Sequence, residues 1–172
     1  AAAGSLLKKQ LGNEVIFASL ALVEPPKRQV VEFEADGQET GKRLARIVRI
    51  QGYDTAKNQS FAATVDVSNN VVTDVRYLSE GQAPLNFPDV VRVITICKTD
   101  EGWQNAMRAR GVEDFTHVQI DPWPTGGYLH PNVPEGHRAM RAISFVREDK
   151  FDNGYARPVQ GLIAHVDLTD GK

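Results

Sequence analysis

A chain of 172 residues with 41% hydrophobic and 24% charged residues has a globular composition, with length for one ordinary domain or two small ones of about 80 residues each. Its net charge of −2 removes any general electrostatic pull toward nucleic acid or anionic membrane. No apolar run of about 18 residues is present to form a membrane-spanning helix.

Ala1–Ser5 has neither the basic region nor the apolar core of a signal peptide and reads as a linker or expression remnant. Compartment stays open on this ground, with the cytoplasm the expected one. Leu6 to Leu11 suits a short helix closed by Gly12-Asn13. Phe17 to Val23 has strand length, and Pro25-Pro26 then breaks the ladder. Gln29 to Ala35 alternates, Val31, Phe33 and Ala35 against Glu32 and Glu34, and reads as a strand up to the Asp36-Gly37 turn. Arg43 to Ile50 is ambiguous, since arginines at 43, 46 and 49 have helical spacing, but Ile47, Val48 and Ile50 favour a strand. Phe61, Ala63, Val65 and Val67 alternate, and Ser68-Asn69-Asn70 turns the chain into Val71 to Leu78.

Ser79 to Phe87, with Gly81, Pro84 and Asn86, is the best domain boundary. Beyond it Val90, Val93, Ile94 and Cys97 fall at helical spacing behind Pro88. Cys97 is the single cysteine and so has no partner for an internal disulfide; among Val93, Ile94 and Ile96 it reads as a buried, inert thiol. Thr99-Asp100 caps a second helix carrying Trp103, Ala106 and Met107, closed by Gly111. Strands are expected at Phe115 to Ile120, Arg138 to Arg147 and Val159 to Leu168, with a Pro- and Gly-rich loop from Asp121 to Gly136. In the last strand Leu162, Ala164, Val166 and Leu168 oppose Ile163, His165 and Asp167, a half-buried pattern that calls for partners on both sides. The whole is α+β: two tandem small domains, residues 6–80 and 86–168, each with helix packed on an antiparallel (cystatin-like) sheet.

Chemistry is sparsely marked. His117, His130, His137 and His165 show no metal-ligand spacing and no carboxylate or cysteine cluster beside them, so no metal ligand is assigned. Asp36, Asp66, Asp74 and Asp121 sit in or beside turns, where Asx hydrogen bonding accounts for them. Arg138, Arg141, Arg147 and Lys150 read as charges on a solvated strand face. Gly126-Gly127 is an isolated pair, with no nucleophile elbow, phosphate loop or dinucleotide fingerprint near it. Trp123, between Pro122 and Pro124, and Tyr155, before the last strand, are loop aromatics that serve either as plugs for their own domain or as contact surfaces.

Three motifs in order carry a resemblance. Tyr155-Ala156-Arg157-Pro158-Val159-Gln160-Gly161-Leu162 through Val166-Asp167 resembles the end of the third small domain of copper-containing primary amine oxidases. Phe17 to Val23 followed by Glu24-Pro25-Pro26-Lys27 is similar to the first strand of their second domain. Lys98-Thr99-Asp100-Glu101 and Met107 to Val112 are similar to the helix and Arg-Gly exit of their third domain. The resemblance spans about Leu6 to Lys172. It implies a non-catalytic N-terminal region of an enzyme that deaminates primary amines to aldehydes, reducing dioxygen to hydrogen peroxide and releasing ammonia. Such enzymes carry copper and a topaquinone, act as homodimers, and pack the two small domains on a catalytic domain. The resemblance supplies no catalytic, quinone or copper residue here: the Asn-Tyr-Asp/Glu precursor motif is missing, Gly52-Tyr53-Asp54 comes closest without the Asn, and the paired His-x-His is missing. This stretch is therefore not expected to oxidise an amine by itself. It also implies that Tyr155 and Trp123, with Val90, narrow the channel that leads amines to the quinone. The alternative is a stand-alone tandem module that binds a protein or peptide through a sheet edge or the Trp123 loop.

Overall fold

Alanine, leucine and lysine are strong helix formers, and in the computed structural model the first helix, α1, runs Ala2–Leu11. It ends where Gly12 adopts φ +94° and its N–H reaches the Lys8 carbonyl at 2.9 Å. Residues 2–5 are thus part of the fold and not a linker: Ala3, Gly4 and Leu7 are buried. A Cβ on Gly4 would stand 2.9 Å from the Phe17 ring, so the small residue is what lets α1 approach the sheet. The structure describes residues 2–37, 43–126 and 128–172; the polar stretch after Gly37 and Gly127 lie outside them. The chain divides into two compact units, Ala1–Leu78 and Ser79–Lys172.

In the first unit, β1 (Val15–Val23), β2 (Ile47–Asp54), β3 (Gln59–Asp66) and β4 (Val71–Tyr77) form one antiparallel sheet in sequence order. Leu7 of α1 and Ile50, Phe61 and Val65 of the sheet are all at 0% exposure; burying each such side chain contributes roughly 1.5–3 kcal/mol. Gly52 is where two strands and a ring meet, since an added Cβ would lie 2.4 Å from the Ile16 carbonyl oxygen and 2.7 Å from Phe61 Cζ. The second strand starts later than expected, at Ile47, and Arg43 to Arg46 lie outside it.

The expected strand at Gln29 to Ala35 is a helix. Pro26 caps α2 (Lys27–Glu32), its carbonyl accepting from Gln29 N–H at 2.8 Å, and a π turn, Phe33–Gly37, follows. Arg28 and Glu32 pair at 2.7 Å with the i,i+4 spacing only a helix provides. No residue of α2 is buried and Val31 is 54% exposed. The apolar–polar alternation therefore recorded no buried face, and the local helical pairing prevailed.

The second unit begins at a capping box. Asn86 Oδ1 accepts from Asp89 N–H at 3.0 Å, and the Asp89 carboxylate accepts from Asn86 N–H, opening α3 (Phe87–Thr99). Asp100 Oδ1 accepts from Trp103 N–H at 2.6 Å and opens α4 (Glu101–Arg108). Val93 and Cys97 of α3 and Trp103 and Met107 of α4 pack on β5 (Gln119–Pro124), β6 (Ala139–Phe145) and β7 (Pro158–Asp167), an antiparallel sheet in that order. The Trp103 indole N–H finds Ser144 Oγ at 3.1 Å inside this core.

Three expectations change here. β5 covers 119–124, and 115–118 is a turn in which Asp114 takes the Thr116 N–H at 2.8 Å, so His117 is off the strand and Trp123 and Asp121 are on it. The Pro pair that signalled a loop is tolerated because β5 is an edge strand, where alternate backbone nitrogens need no partner. β7, expected to have neighbours on both sides, pairs with β6 alone among the described residues. Finally, Arg138 is no solvated charge: at 2% exposure it is the largest fully buried side chain, its guanidinium held by Asp89 and by the Ala83 and Pro84 carbonyls at 3.0 Å.

Candidate functional site

The second unit contains a cavity of about 400 Å³ where α3 faces the edge strand β5. Val90 and Ile94, one turn apart on α3, supply one wall, and Leu85 precedes them. Val118, Ile120 and Pro122 supply apolar surface, while Gln119, Asp121, Arg147 and Tyr155 bring polar atoms. Tyr155 reaches the wall because its turn is tied down. Asn153 Oδ1 accepts from Tyr155 N–H at 3.0 Å, Arg157 pairs with Asp152, and Val146 N–H reaches the Arg157 carbonyl at 2.9 Å. The turn lies so near β5 that a Cβ on Gly154 would meet Gln119 Oε1 at 2.1 Å. The Tyr155 ring then rests edge-on against Phe145, 5.2 Å between centroids, and is still 58% exposed. Arg147 is aimed by its Nε–H donating to the His117 carbonyl at 3.0 Å.

Of the three residues expected in a site, the structure joins two, Val90 and Tyr155, in one cavity wall. Trp123 is not among the lining residues. It stands on the same face of β5 as Asp121, two positions away, and its indole N–H donates to Asp121 Oδ2 at 2.7 Å, so its link to the cavity runs through Asp121, a lining residue. At 54% exposure it is no internal plug. Sequence reading passed over Asp121 and Arg147, one taken for a turn former and the other for surface charge. The signal available was the Asp-Pro-Trp-Pro alternation, which on an extended edge strand sets Asp121 and Trp123 on one face.

The histidines are arranged differently from their spacing. His137 Nδ1 lies 2.7 Å from Asp167 Oδ2 and 3.9 Å from Asp170 Oδ1, the only group of three potential ligands among the described residues. This set does not fit copper, which favours several imidazoles. It offers one, and three of its four carboxylate oxygens are committed: Asp167 Oδ2 to His137 at 2.7 Å, Asp167 Oδ1 to the N–H groups of Thr169 and Asp170 at 2.9 and 3.1 Å, and Asp170 Oδ2 to Lys172 at 2.7 Å. His130 and His165 bring their rings to 4.7 Å. Burial, and then the nearby His130 and Arg141, hold the His165 imidazole below its ordinary pKa. Cys97 is pushed up to about 12, chiefly by burial, which leaves it unreactive.

Residues 82–172, more than half of the chain, match the family model described as copper amine oxidase, N3 domain. The chain belongs to the copper amine oxidase family. It is 31% identical over 161 residues to a histamine oxidase of Arthrobacter globiformis, covering 92% of this chain and 22% of that one. A primary amine oxidase of Arthrobacter sp. (strain P1) is 32% identical over 157 residues, 91% of this chain and 23% of the relative. A peroxisomal copper-containing diamine oxidase of Nicotiana tabacum is 28% identical over 168 residues, 95% and 20% respectively. The chain thus spans about a fifth of the length of these curated relatives. Its fold is that of a crystallised copper-containing benzylamine oxidase from Hansenula polymorpha, with TM-score 0.69, 19% identity, and coverage of 100% of this chain and 28% of the other. This copper amine oxidase chain is the non-catalytic N-terminal part of such an enzyme, and copper and the quinone belong to the catalytic part. Among the described residues no helix is long and apolar enough to cross a membrane.

Proposed function

We propose that the two units are the second and third small domains of a copper and topaquinone primary amine oxidase, and that the cavity beside α3 forms part of the wall of the path by which primary amines reach the quinone. The observation that carries this reading is the meeting of Val90 and Tyr155 in one cavity, with Asp121 among the residues at its edge. An apolar surface with an aromatic edge accepts the hydrocarbon tail of an amine, and a carboxylate nearby favours its ammonium. Trp123 acts at the rim, by holding Asp121 Oδ2. In this reading the parent enzyme converts primary amines to aldehydes, with dioxygen reduced to hydrogen peroxide and ammonia released, and works as a homodimer whose catalytic domain is the partner of these two units. The quinone and copper supply the chemistry; these residues sort what arrives.

The test is the order of preference among amines. In the complete enzyme, Tyr155→Ala should change the ratio of kcat/KM between arylalkyl and short alkyl amines by about tenfold, the scale of one lost apolar contact. Trp123→Ala should change it less. An unchanged ranking in both variants removes the channel role and leaves the aromatics as packing. The cytoplasmic placement remains a proposal beside the peroxisomal one that the names of the tobacco and Pichia angusta relatives carry, and subcellular fractionation separates the two.

A further inference from the structure

The outer face of the three-stranded sheet, away from α3 and α4, gathers several hydrogen-bond donors beside the acid Asp121. Register places Trp123 opposite Arg141, and Arg141 opposite His165, so the three form one row across β5, β6 and β7. His130, from the loop before β6, lays its ring 4.7 Å from that of His165. Arg141 Nε is enclosed and without a hydrogen-bond partner, while Nη2 reaches the Tyr128 carbonyl only at 3.5 Å, the outer limit of a hydrogen bond. Among the described residues no carboxylate pairs with it. The acid on the same face, Asp121 of β5, has one oxygen engaged by the Trp123 indole.

A half-buried guanidinium with no counter-ion is costly. Its counterpart in the second unit, Arg138, has a carboxylate and two carbonyls around it, which makes Arg141 the exception. The ring nitrogens extend the pattern. Asn132 N–H donates to His130 Nδ1 at 3.2 Å, so the neutral His130 ring carries its proton on Nε2, as a further donor. We propose that Arg141, His130 and His165 form a binding site for an oxyanion, a carboxylate or phosphate group received by the guanidinium fork and the two imidazoles. Planar forks match such oxygens in bidentate fashion. The depressed titration of His165, caused first by burial and then by His130 and Arg141, agrees with such a place. The charged groups facing it are Arg141 on β6 and His130 on the loop, with Asp121 of β5 one register position along.

The experiment follows the four histidine ring resonances of the 172-residue chain while inorganic phosphate or acetate is added at constant ionic strength. His137, held by Asp167, is the internal control. Saturable shifts at His165 and His130 are expected, with His137 stationary and the His165 titration moving upward as anion binds. Arg141→Gln should weaken binding by about tenfold or more, the worth of one charge-assisted hydrogen bond. Arg141→Lys keeps the charge but not the fork and should fall between, which also serves should Arg141→Gln fail to fold. Saturation by acetate marks the ligand as a side-chain carboxylate; saturation by phosphate alone marks a phosphate ester. Linear drift of all four histidines, or equal binding in the Arg141 variants, overturns the site.

Discussion

Both units lay helix on an antiparallel sheet, yet they close their cores by opposite means. The first relies on steric intimacy: Gly4 admits the Phe17 ring, and Gly52 admits Phe61 and the Ile16 carbonyl. Its buried charge, Asp54, sits at a strand end, where Oδ2 accepts from the Tyr77 hydroxyl at 2.7 Å. The second places a charge in the middle. Arg138 joins the start of β6 to the 83–84 segment and to Asp89, the first-turn member of the α3 capping box. That helix is the one that presents Val90 and Ile94 to the cavity. A core of rings and glycines fills space; a buried ion pair fixes one helix end in one place. The unit with the cavity is the unit that uses the second device.

Removing that device should have the largest effect. Arg138→Met leaves the Asp89 carboxylate buried without its cation, at a cost of about 3–5 kcal/mol. Both tryptophans, Trp103 and Trp123, belong to the second unit, so the urea midpoint of tryptophan emission reads this unit alone. Pairing Arg138→Met with Asp89→Leu should restore a large part of the loss, since two apolar groups need no counter-charge. A loss below about 1 kcal/mol in the single variant would mean that the pair is not the anchor of α3, and the contrast between the units would dissolve.

The first unit has its own weak point. Gly52→Ala drives a methyl into a backbone oxygen 2.4 Å away and a ring carbon at 2.7 Å, and neither is the free end of a flexible side chain. Overpacking of this kind costs about 1–3 kcal/mol. Far-UV circular dichroism and amide exchange on β1 to β3 should register the loss, while the tryptophan transition stays where it was. Should the tryptophan midpoint fall equally, the two units do not unfold separately.

These devices also mark what a sequence can show. The α+β plan was legible because its signals are local: Asp100 stands three residues ahead of the N–H group it satisfies, and Ser68-Asn69-Asn70 turns a hairpin wherever alternating strands flank it. The family motifs around Glu24-Pro25-Pro26-Lys27 and Tyr155 to Asp167 were legible for the same reason. What was missed is non-local. Arg138 and Asp89 are 49 positions apart, and nothing in Arg-Ala-Met-Arg says which arginine goes inward. Val31 and Phe33 misled because alternation measures burial only where a second surface exists to bury against, and among the described residues α2 has none. Trp123 was read as a loop residue because proline forbids the middle of a sheet, whereas β5 is an edge. Tyr155 and Trp123 were named together, with Val90 as a third, but the Asp121 and Arg147 that share the cavity of Val90 and Tyr155 depend on a strand boundary that sequence set four residues too early.

The smallest predicted effect separates the units by pH. All four histidines lie in the second unit and none in the first. The folded His165 titrates below its ordinary 6.5, so in the window just under that value the unfolded chain binds more protons than the folded one. Stability therefore rises with pH through this window: the contribution of neutral His165 is present above about 6.5 and is lost as pH falls through the folded value. The tryptophan midpoint in urea should drop modestly between about pH 7.5 and about pH 5.5, above the range where carboxylates titrate. His165→Gln should flatten part of that slope, and the amide-exchange stability of β1 to β3 should barely move. Saturating oxyanion, if bound at Arg141, should reduce the drop as well, because a negative partner lowers the cost of charging the ring. An undiminished slope in His165→Gln would place the acid sensitivity elsewhere in the unit, and the outer face of the sheet would have no part in it.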